Sequence, residues 1–89
     1  MSAVDPEQLR ADLYPLLAEV TGLPVENIAG GLLLNEDLNL DSLRRIELVA
    51  RVSEKYAFDP DVDTIMELRT VDDIVRLMEE YLRAGSTEP

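Results

Sequence analysis

The sequence predicts an all-α fold, a four-helix bundle with a short third helix and a long loop between the first two helices. Apolar residues recur at helical spacing in three segments, and no segment alternates between apolar and polar residues over five positions, as a strand would. With 89 residues and a hydrophobic fraction of 46%, the chain forms one domain with a small core. We expect residues 5–84 to form this domain, between a flexible N-terminus (1–4) and a flexible tail (85–89).

The first helix is predicted from its cap and from one apolar stripe. Asp5 is the N-cap, Pro6 occupies the first helical position, and Gln8 completes a capping box. Pro15 removes a backbone donor on the polar side of the helix, which predicts either a kink or a later start. Gly22 ends the helix. The apolar stripe comprises Leu9, Leu13, Leu16, Leu17 and Val20.

The second helix follows a long loop. The loop, residues 29–40, contains several leucines, and we expect these to be anchored in the core. Asp41 caps the helix, which is predicted to run from Ser42 to about Tyr56.

The third and fourth helices are predicted from capping residues and one further stripe. A short third helix follows Asp63, its predicted N-cap. The fourth helix begins at a capping box in residues 70–73 and ends at Gly85. Its apolar face comprises Val71, Ile74, Val75, Met78 and Leu82.

The composition excludes several classes of function. The chain contains no cysteine and no histidine, which excludes disulfide scaffolds, thiolate zinc sites and cysteine- or histidine-based catalysis. A net charge of −11 repels nucleic acid and anionic lipid. The longest apolar run has three residues, and the N-terminus lacks the pattern of a signal peptide. We therefore expect a monomeric cytoplasmic protein that is not an enzyme, has no metal site, and binds neither nucleic acid nor membrane.

The second helix carries two apolar stripes on nearly opposite sides. The stripe that can face the core comprises Leu48, Val49, Val52 and Tyr56. The other stripe comprises Leu43, Ile46 and Ala50. Either this second stripe is buried by another neighbour, as in a central helix, or it is an exposed docking patch.

The segment around the second helix also differs in charge. Residues 41–56 contain four of the eight basic residues and three acidic ones, a net charge of +1, which leaves the rest of the chain at −12. This pattern has two explanations: a solvated face with ion pairs along the helix, or a basic docking surface. The basic residues are Arg44, Arg45, Arg51 and Lys55.

Ser42 is the candidate functional residue. It follows the N-cap aspartate at the start of a helix, where backbone donors and the helix dipole favour a phosphate on its hydroxyl. Because the chain has no histidine and the nearest lysine in sequence is Lys55, Ser42 has no evident base to activate it as a nucleophile. We expect a serine that is modified by another protein.

The sequence Asp-Leu-Asn-Leu-Asp-Ser-Leu at residues 37–43, followed by Ile-Glu-Leu-Val at residues 46–49, resembles the acyl carrier protein family. The signature of that family is an acidic residue, a loop leucine and an Asp-Ser-Leu triplet that opens the second helix. The resemblance extends back to Thr-Gly-Leu-Pro at residues 21–24 and forward to the end of the fourth helix, so it covers nearly the whole chain.

The resemblance implies a cofactor, partners and site residues. Ser42 would carry 4′-phosphopantetheine, transferred from coenzyme A by a phosphopantetheinyl transferase whose magnesium Asp41 would help to hold. The arm would bring the thiol that the chain lacks, and an acyl-loading enzyme and a ketosynthase or other synthase would act on its thioesters. The docking residues would be Leu43, Arg44, Arg45, Ile46, Glu47, Ala50 and Arg51. The residues that shelter the acyl chain, between the second and third helices, would be Val52, Ile65 and Leu68.

The sequence departs from the family pattern at two places. Arg44 and Arg45 stand where fatty-acid carriers usually have acidic or small polar residues, and Pro60-Asp61 replaces an apolar residue followed by proline. These departures favour a polyketide or other secondary-metabolite pathway over housekeeping fatty-acid synthesis. Three other functions remain open at this stage: a fatty-acid carrier, an unmodified interaction module, and a peptidyl or aminoacyl carrier, whose usual Gly-Gly-His/Asp-Ser motif is replaced here by Asn-Leu-Asp-Ser.

A calcium loop is a further alternative. Asp59, Asp61 and Asp63 imitate the first ligands of an EF-hand loop, but Thr64 stands where glycine is needed and Thr70 where glutamate is needed. The other explanation is an acidic turn whose last aspartate caps the third helix.

Overall fold

Four α-helices and one 3₁₀ turn make up the structure, a computed structural model that describes residues 5–86. The predicted all-α bundle with a short third helix is confirmed, and within this range the only β-type pairing is an isolated bridge between Leu33 and Thr70. No helix within residues 5–86 is long and apolar enough to cross a membrane. The predictions for residues 1–4 and for residues 87–89 of the tail lie outside the described range. The helices are α1 (Pro6–Thr21), the 3₁₀ helix (Val25–Asn27), α2 (Ser42–Ser53), α3 (Val62–Glu67) and α4 (Val71–Ser86).

Helix α1 begins and ends at the predicted residues. Asp5 caps it, and Gly22 ends it in the left-handed conformation, with φ of +79°. The capping box is not formed: the Asp5 carboxylate accepts the N–H of Glu7 at 3.1 Å rather than that of Gln8, and the Gln8 side-chain amide donates to Asp12 at 3.4 Å. Pro15 is exposed and lies inside the helix, so the predicted later start is wrong.

One apolar core is shared by the helices and the long loop. Leu34, Leu38 and Leu40 of the loop are buried, which confirms that its leucines are anchored. The predicted apolar faces of α1 and α4 also point into the core, with Leu16 and Leu82 half-buried at its edge. The loop before α2 is therefore held by the same core as the helices.

Helix α4 begins with the predicted capping box. The Thr70 hydroxyl accepts the N–H of Asp73 at 3.2 Å, and the Asp73 carboxylate accepts the N–H of Thr70 at 3.1 Å. Partial burial alone would raise the pKa of Asp73, but hydrogen bonds from the N–H groups of Arg69 and Thr70 outweigh it and lower the pKa. Gly85 does not end the helix as predicted, since α4 extends to Ser86.

The ends of α2 and α3 differ from the sequence predictions. Helix α2 ends at Ser53 rather than near Tyr56, because the N–H groups that follow turn back to carbonyls in its last turn. The N-cap of α3 is Asp61 rather than Asp63, and its carboxylate accepts the N–H of Thr64 at 2.9 Å. That backbone hydrogen bond lowers the pKa of Asp61.

Arg45 is buried, and its predicted place among the docking residues is therefore wrong. Only 6% of the surface of Arg45 is exposed, and Arg45 makes no ion pair with any residue in the described range. Its guanidinium instead donates to Asn35 Oδ1 and to backbone carbonyls, three of them at the C-terminal end of α3, where the helix dipole favours a cation. The carbonyl acceptors are Leu40 at 3.2 Å, Ile65 at 3.1 Å, Met66 at 3.4 Å and Leu68 at 2.7 Å.

Tyr56 joins the turn after α2 to α1. Its hydroxyl donates to the Asp12 carboxylate, and Lys55 Nζ lies 3.6 Å from the same carboxylate. Burial raises the pKa of Tyr56 to about 12, and the hydrogen bond to Asp12 and the charge of Asp12 add to the effect. The same hydrogen bond lowers the pKa of Asp12.

Ionisation of Tyr56 should destabilise the fold at high pH. Because its pKa is raised from 10.0 to about 12, the contact contributes fully below pH 10.0 and is lost as the pH rises through about 12. In an ultraviolet titration that follows tyrosinate formation, Tyr56 should be the last of the three tyrosines to ionise. This last ionisation should be absent from the titration of Tyr56→Phe. The unfolding free energy of this variant should also fall less steeply over that pH range. Loss of an earlier ionisation instead would contradict the contact.

Candidate functional site

Ser42 is exposed at the first position of α2, with its hydroxyl free. Its Oγ makes no hydrogen bond to any of residues 5–86. By comparison, the hydroxyls of Thr21 and Ser53 are hydrogen-bonded: each donates to a carbonyl of its own helix, at 2.7 and 2.8 Å respectively. The Ser42 hydroxyl is therefore open to the active site of another protein.

Asp41 fixes the start of α2 next to this hydroxyl. Its Oδ1 accepts the N–H of Arg44 at 2.9 Å, as an N-cap residue does. A carboxylate has two acceptor oxygens, and the second oxygen of Asp41 accepts no hydrogen bond in the described part of the chain. Asp41 thus positions the helix and still presents an oxygen beside Ser42.

The first turn of α2 suits an attached phosphate. The first turns of α1, α3 and α4 each contain an acidic residue, whereas that of α2 contains none. A helix N-terminus carries unpaired N–H groups and a partial positive charge, both of which stabilise an anion. The residues around Ser42 therefore fit a phosphodiester on its hydroxyl.

The loop before α2 is held in one conformation by its own hydrogen bonds. The Asp37 carboxylate accepts the N–H of Leu33 at 2.8 Å, and the N–H of Leu40 donates to the carbonyl of Leu34, also at 2.8 Å. Asn39 adopts a left-handed backbone with φ of +55°, a conformation that asparagine tolerates better than most residues. The exposed end of α2 is thus presented by a well-supported loop.

The second apolar stripe of α2 is exposed. Leu43 is 74% exposed and Ile46 43% exposed, and Ala50 is also exposed. The alternative of a central helix buried on both sides is therefore wrong. We call Leu43, Ile46, Glu47 and Ala50 the α2 patch; all four residues are exposed and lie close to Ser42 in sequence.

The basic side chains of α2 and of the turn that follows it form hydrogen bonds and ion pairs within the molecule. The Arg44 guanidinium donates to the carbonyl of Val20, in the last turn of α1, at 2.6 Å. Arg51 lies 2.6 Å from Glu19 of α1 and 3.7 Å from Glu47, and Lys55 pairs with α1 as described above. With Arg45 buried, the structure supports the ion-pair explanation of the charge pattern over a basic docking surface.

The three predicted shelter residues lie together. Val52, Ile65 and Leu68 line an apolar cavity between α2 and α3, and Arg45 also contributes to its wall. The cavity volume is about 10 Å³, which is the room for roughly one water-sized sphere. The interior space between α2 and α3 is therefore closed in this structure.

The aspartates of the calcium-loop alternative do not form a metal site in the structure. Asp61 caps α3, and within residues 5–86 no three acidic side chains are arranged to hold a metal ion. The explanation by an acidic turn is supported, with the cap at Asp61 instead of Asp63.

Comparisons with known proteins identify the family. Residues 11–78 match the family model described as phosphopantetheine attachment site. The acyl carrier protein of Chlamydia trachomatis serovar L2 is 33% identical over 73 residues, which are 82% of this chain and 95% of that protein. The acyl carrier protein of Rhodococcus erythropolis is 29% identical over 80 residues, 90% of this chain and 88% of that protein.

A third relative is the meromycolate extension acyl carrier protein of Mycobacterium leprae. It is 30% identical over 78 residues, 88% of this chain and 68% of that protein. The match to the family model includes Ser42, the α2 patch and the closed cavity. The chain belongs to the acyl carrier protein family, whose members carry acyl groups on 4′-phosphopantetheine and are not themselves catalysts.

Proposed function

We propose that Ser42 is the attachment point of the 4′-phosphopantetheine group. The observation that carries this proposal is the exposed, unbonded hydroxyl at the start of α2, inside the matched segment 11–78. Ser53 is the other serine of that segment, and its hydroxyl is bonded to the carbonyl of Ala50. The two serines therefore differ in the property that modification requires.

The loading reaction would use the Ser42 hydroxyl as the acceptor of a group from coenzyme A. The Oγ–P bond forms as the pyrophosphate bond of coenzyme A breaks, adenosine 3′,5′-bisphosphate leaves, and the serine proton passes to a base of the phosphopantetheinyl transferase. The second oxygen of Asp41, which accepts no hydrogen bond within residues 5–86, would contact the magnesium of that enzyme. The attached group supplies a thiol, which holds acyl groups as thioesters.

Partner enzymes would bind the α2 patch. The proposed partners are the transferase, an acyl-loading enzyme, and a ketosynthase or other synthase. An exposed apolar spot beside the attachment residue suits short-lived contacts with several enzymes, and tethering raises the effective concentration of the cargo at each one. Arg44 and Arg51 lie on the same helix as the patch, although both contact α1.

The pathway we favour is the synthesis of a polyketide or another secondary metabolite. The support is the departure from fatty-acid carriers at Arg44 and Arg45, together with the position of Arg45 among the residues that line the cavity between α2 and α3. Housekeeping fatty-acid synthesis is the second candidate. The names of the relatives favour it, since two of those described above are plain acyl carrier proteins and the third is a meromycolate extension acyl carrier protein.

Loading should occur at Ser42 and at no other residue. After incubation with coenzyme A and a promiscuous phosphopantetheinyl transferase, the intact mass of the wild type should rise by one phosphopantetheinyl group. Ser53→Ala is the matched control and should gain the same mass, whereas Ser42→Ala should gain none. No gain in the wild type, under conditions that modify a known carrier, would identify the chain as an unmodified interaction module.

A carboxylate in place of Leu43 in the α2 patch should slow loading. Leu43→Asp replaces an exposed apolar contact with a charge, and loss of a contact that dominates an interface costs more than about 1 kcal/mol of binding free energy. We expect kcat/KM for the transferase to fall by about tenfold, the equivalent of roughly 1.4 kcal/mol. Val25→Asp is the matched control, since Val25 is an exposed apolar residue (45%) in the 3₁₀ helix. Equal loading of both variants would show that the patch does not contact the transferase.

A further inference from the structure

Arg45 separates two spaces of opposite character. On one side lies the closed apolar cavity between α2 and α3, described above. On the other lies an open polar pocket of about 350 Å³. It is formed by the loop around Asn35 and Glu36 and by residues 66–69, which include the end of α3 and the two residues after it. Arg45 and Leu68 line both spaces. Arg45 and Leu68 therefore stand at the boundary between the polar pocket and the apolar cavity.

Hydrogen bonds hold the guanidinium in this position. Its Nη1 donates to the carbonyls of Ile65, Met66 and Leu68, the shortest bond being 2.7 Å to Leu68. Displacing it would leave the carbonyls of Met66 and Leu68 without this donor, and the Ile65 carbonyl with only the N–H of Leu68 at 3.4 Å; a polar group that loses its partner away from water is strongly unfavourable. A saturated chain offers these carbonyls no donor, so it cannot replace the hydrogen bonds that it displaces.

One donor of the guanidinium is still available. An arginine side chain has five N–H donors. Nε binds the Leu40 carbonyl, Nη1 binds the end of α3, and Nη2 donates to Asn35 Oδ1 alone, at 3.2 Å. The second hydrogen of Nη2 has no acceptor within residues 5–86. An oxygen atom on a ligand in the polar pocket is the partner that this donor lacks.

The attachment residue and Arg45 are neighbours along α2. Ser42 precedes Arg45 by three residues in α2, and residues three apart lie on the same side of a helix, about one turn from each other. A group attached to Ser42 therefore starts about one helical turn from Arg45.

We propose that Arg45 is the specificity-determining residue of this carrier and that it selects short acyl groups with an oxygen beyond the thioester, such as β-ketoacyl groups. The β-oxygen accepts the free N–H of Nη2 in the polar pocket. Arg45 at the same time keeps saturated chains out of the apolar cavity. This proposal rests on attachment at Ser42, the proposed function, and names the class of cargo that the site accepts.

The test uses three cargoes loaded from their coenzyme A thioesters. Acetoacetyl and butyryl groups have the same length and differ only in the β-oxygen, while the octanoyl group tests a longer saturated chain. Intact mass reports the loading step separately. No gain in mass would overturn attachment at Ser42 and this proposal together, whereas a gain in mass without selectivity in the spectra would overturn the role of Arg45 alone.

Backbone amide resonances then report where each cargo lies. In the wild type, the acetoacetyl group should shift the amides of Asn35 and Met66 at the polar pocket, and the butyryl group should not. The octanoyl group should leave the amides of Val52 and Ile65, at the apolar cavity, unchanged. Equal spectra for the acetoacetyl and butyryl forms, or octanoyl-dependent shifts of Val52 and Ile65, would overturn the proposal.

Variants of Arg45 should reverse this selectivity. In Arg45→Met the octanoyl group should shift Val52 and Ile65, and its thioester should hydrolyse about tenfold more slowly, as for a chain buried about 90% of the time. Arg76→Met is the matched control and should behave as the wild type, because Arg76 is an exposed residue of α4 that pairs with Asp73. Hydrolysis of the octanoyl thioester at the wild-type rate in Arg45→Met would overturn the gating role.

A second variant decides the question if Arg45→Met does not fold. Arg45→Lys keeps the charge but replaces the planar fork with a single ammonium group. It should lose the spectral difference between the acetoacetyl and butyryl forms. Persistence of that difference would overturn the assignment of the donor to Nη2.

Discussion

The guanidinium of Arg45 connects α2, the end of α3 and the loop before α2. Helix α3 has six residues, too few to be stable alone, and its last carbonyls have no partner within the helix. Arg45 reaches from α2 to supply donors to three of these carbonyls and to the loop carbonyl of Leu40. A buried charge without a carboxylate is costly, and here the carbonyl dipoles and the negative end of α3 offset that cost.

This anchoring explains how the molecule can expose its reactive residue without loosening its fold. Ser42 lies one turn before Arg45, so the same helix that is fixed at Arg45 presents a free hydroxyl at its start. The cap at Asp41 and the buried side chain of Leu40 fix the approach to that hydroxyl. The remaining basic residues of α2 contact α1, which leaves an apolar α2 patch on a strongly acidic protein. A carrier that must meet several enzymes in turn benefits from a small and accessible surface of this kind.

The sequence predicted the elements well because each has a local signal. The apolar stripes and the caps at Asp5 and Asp41 predicted helices whose positions the structure confirms. The N-cap of α3 was placed wrongly because Asp61 and Asp63 both fit the local pattern, and the path of the preceding turn decides between them. Arg45 was placed wrongly although it lies three and seven residues before Leu48 and Val52, on the core face of α2. A charged residue is normally assigned to solvent, and the carbonyls that accept its hydrogen bonds come from segments whose proximity only the fold reveals.

The most direct test of this account is the exchange of backbone amide hydrogens in Arg45→Met, with urea unfolding of the same variant and of the Arg76→Met control. Loss of the donors leaves buried carbonyls unpaired, so the free energy of unfolding of Arg45→Met should fall by about 2 kcal/mol. The amides of Ile65 and Leu68 should lose their protection, while those in the middle of α1 and α4 remain protected. Arg76→Met should unfold as the wild type does. An unchanged unfolding free energy together with full protection of Ile65 and Leu68 would contradict the claim that Arg45 holds α3 in place.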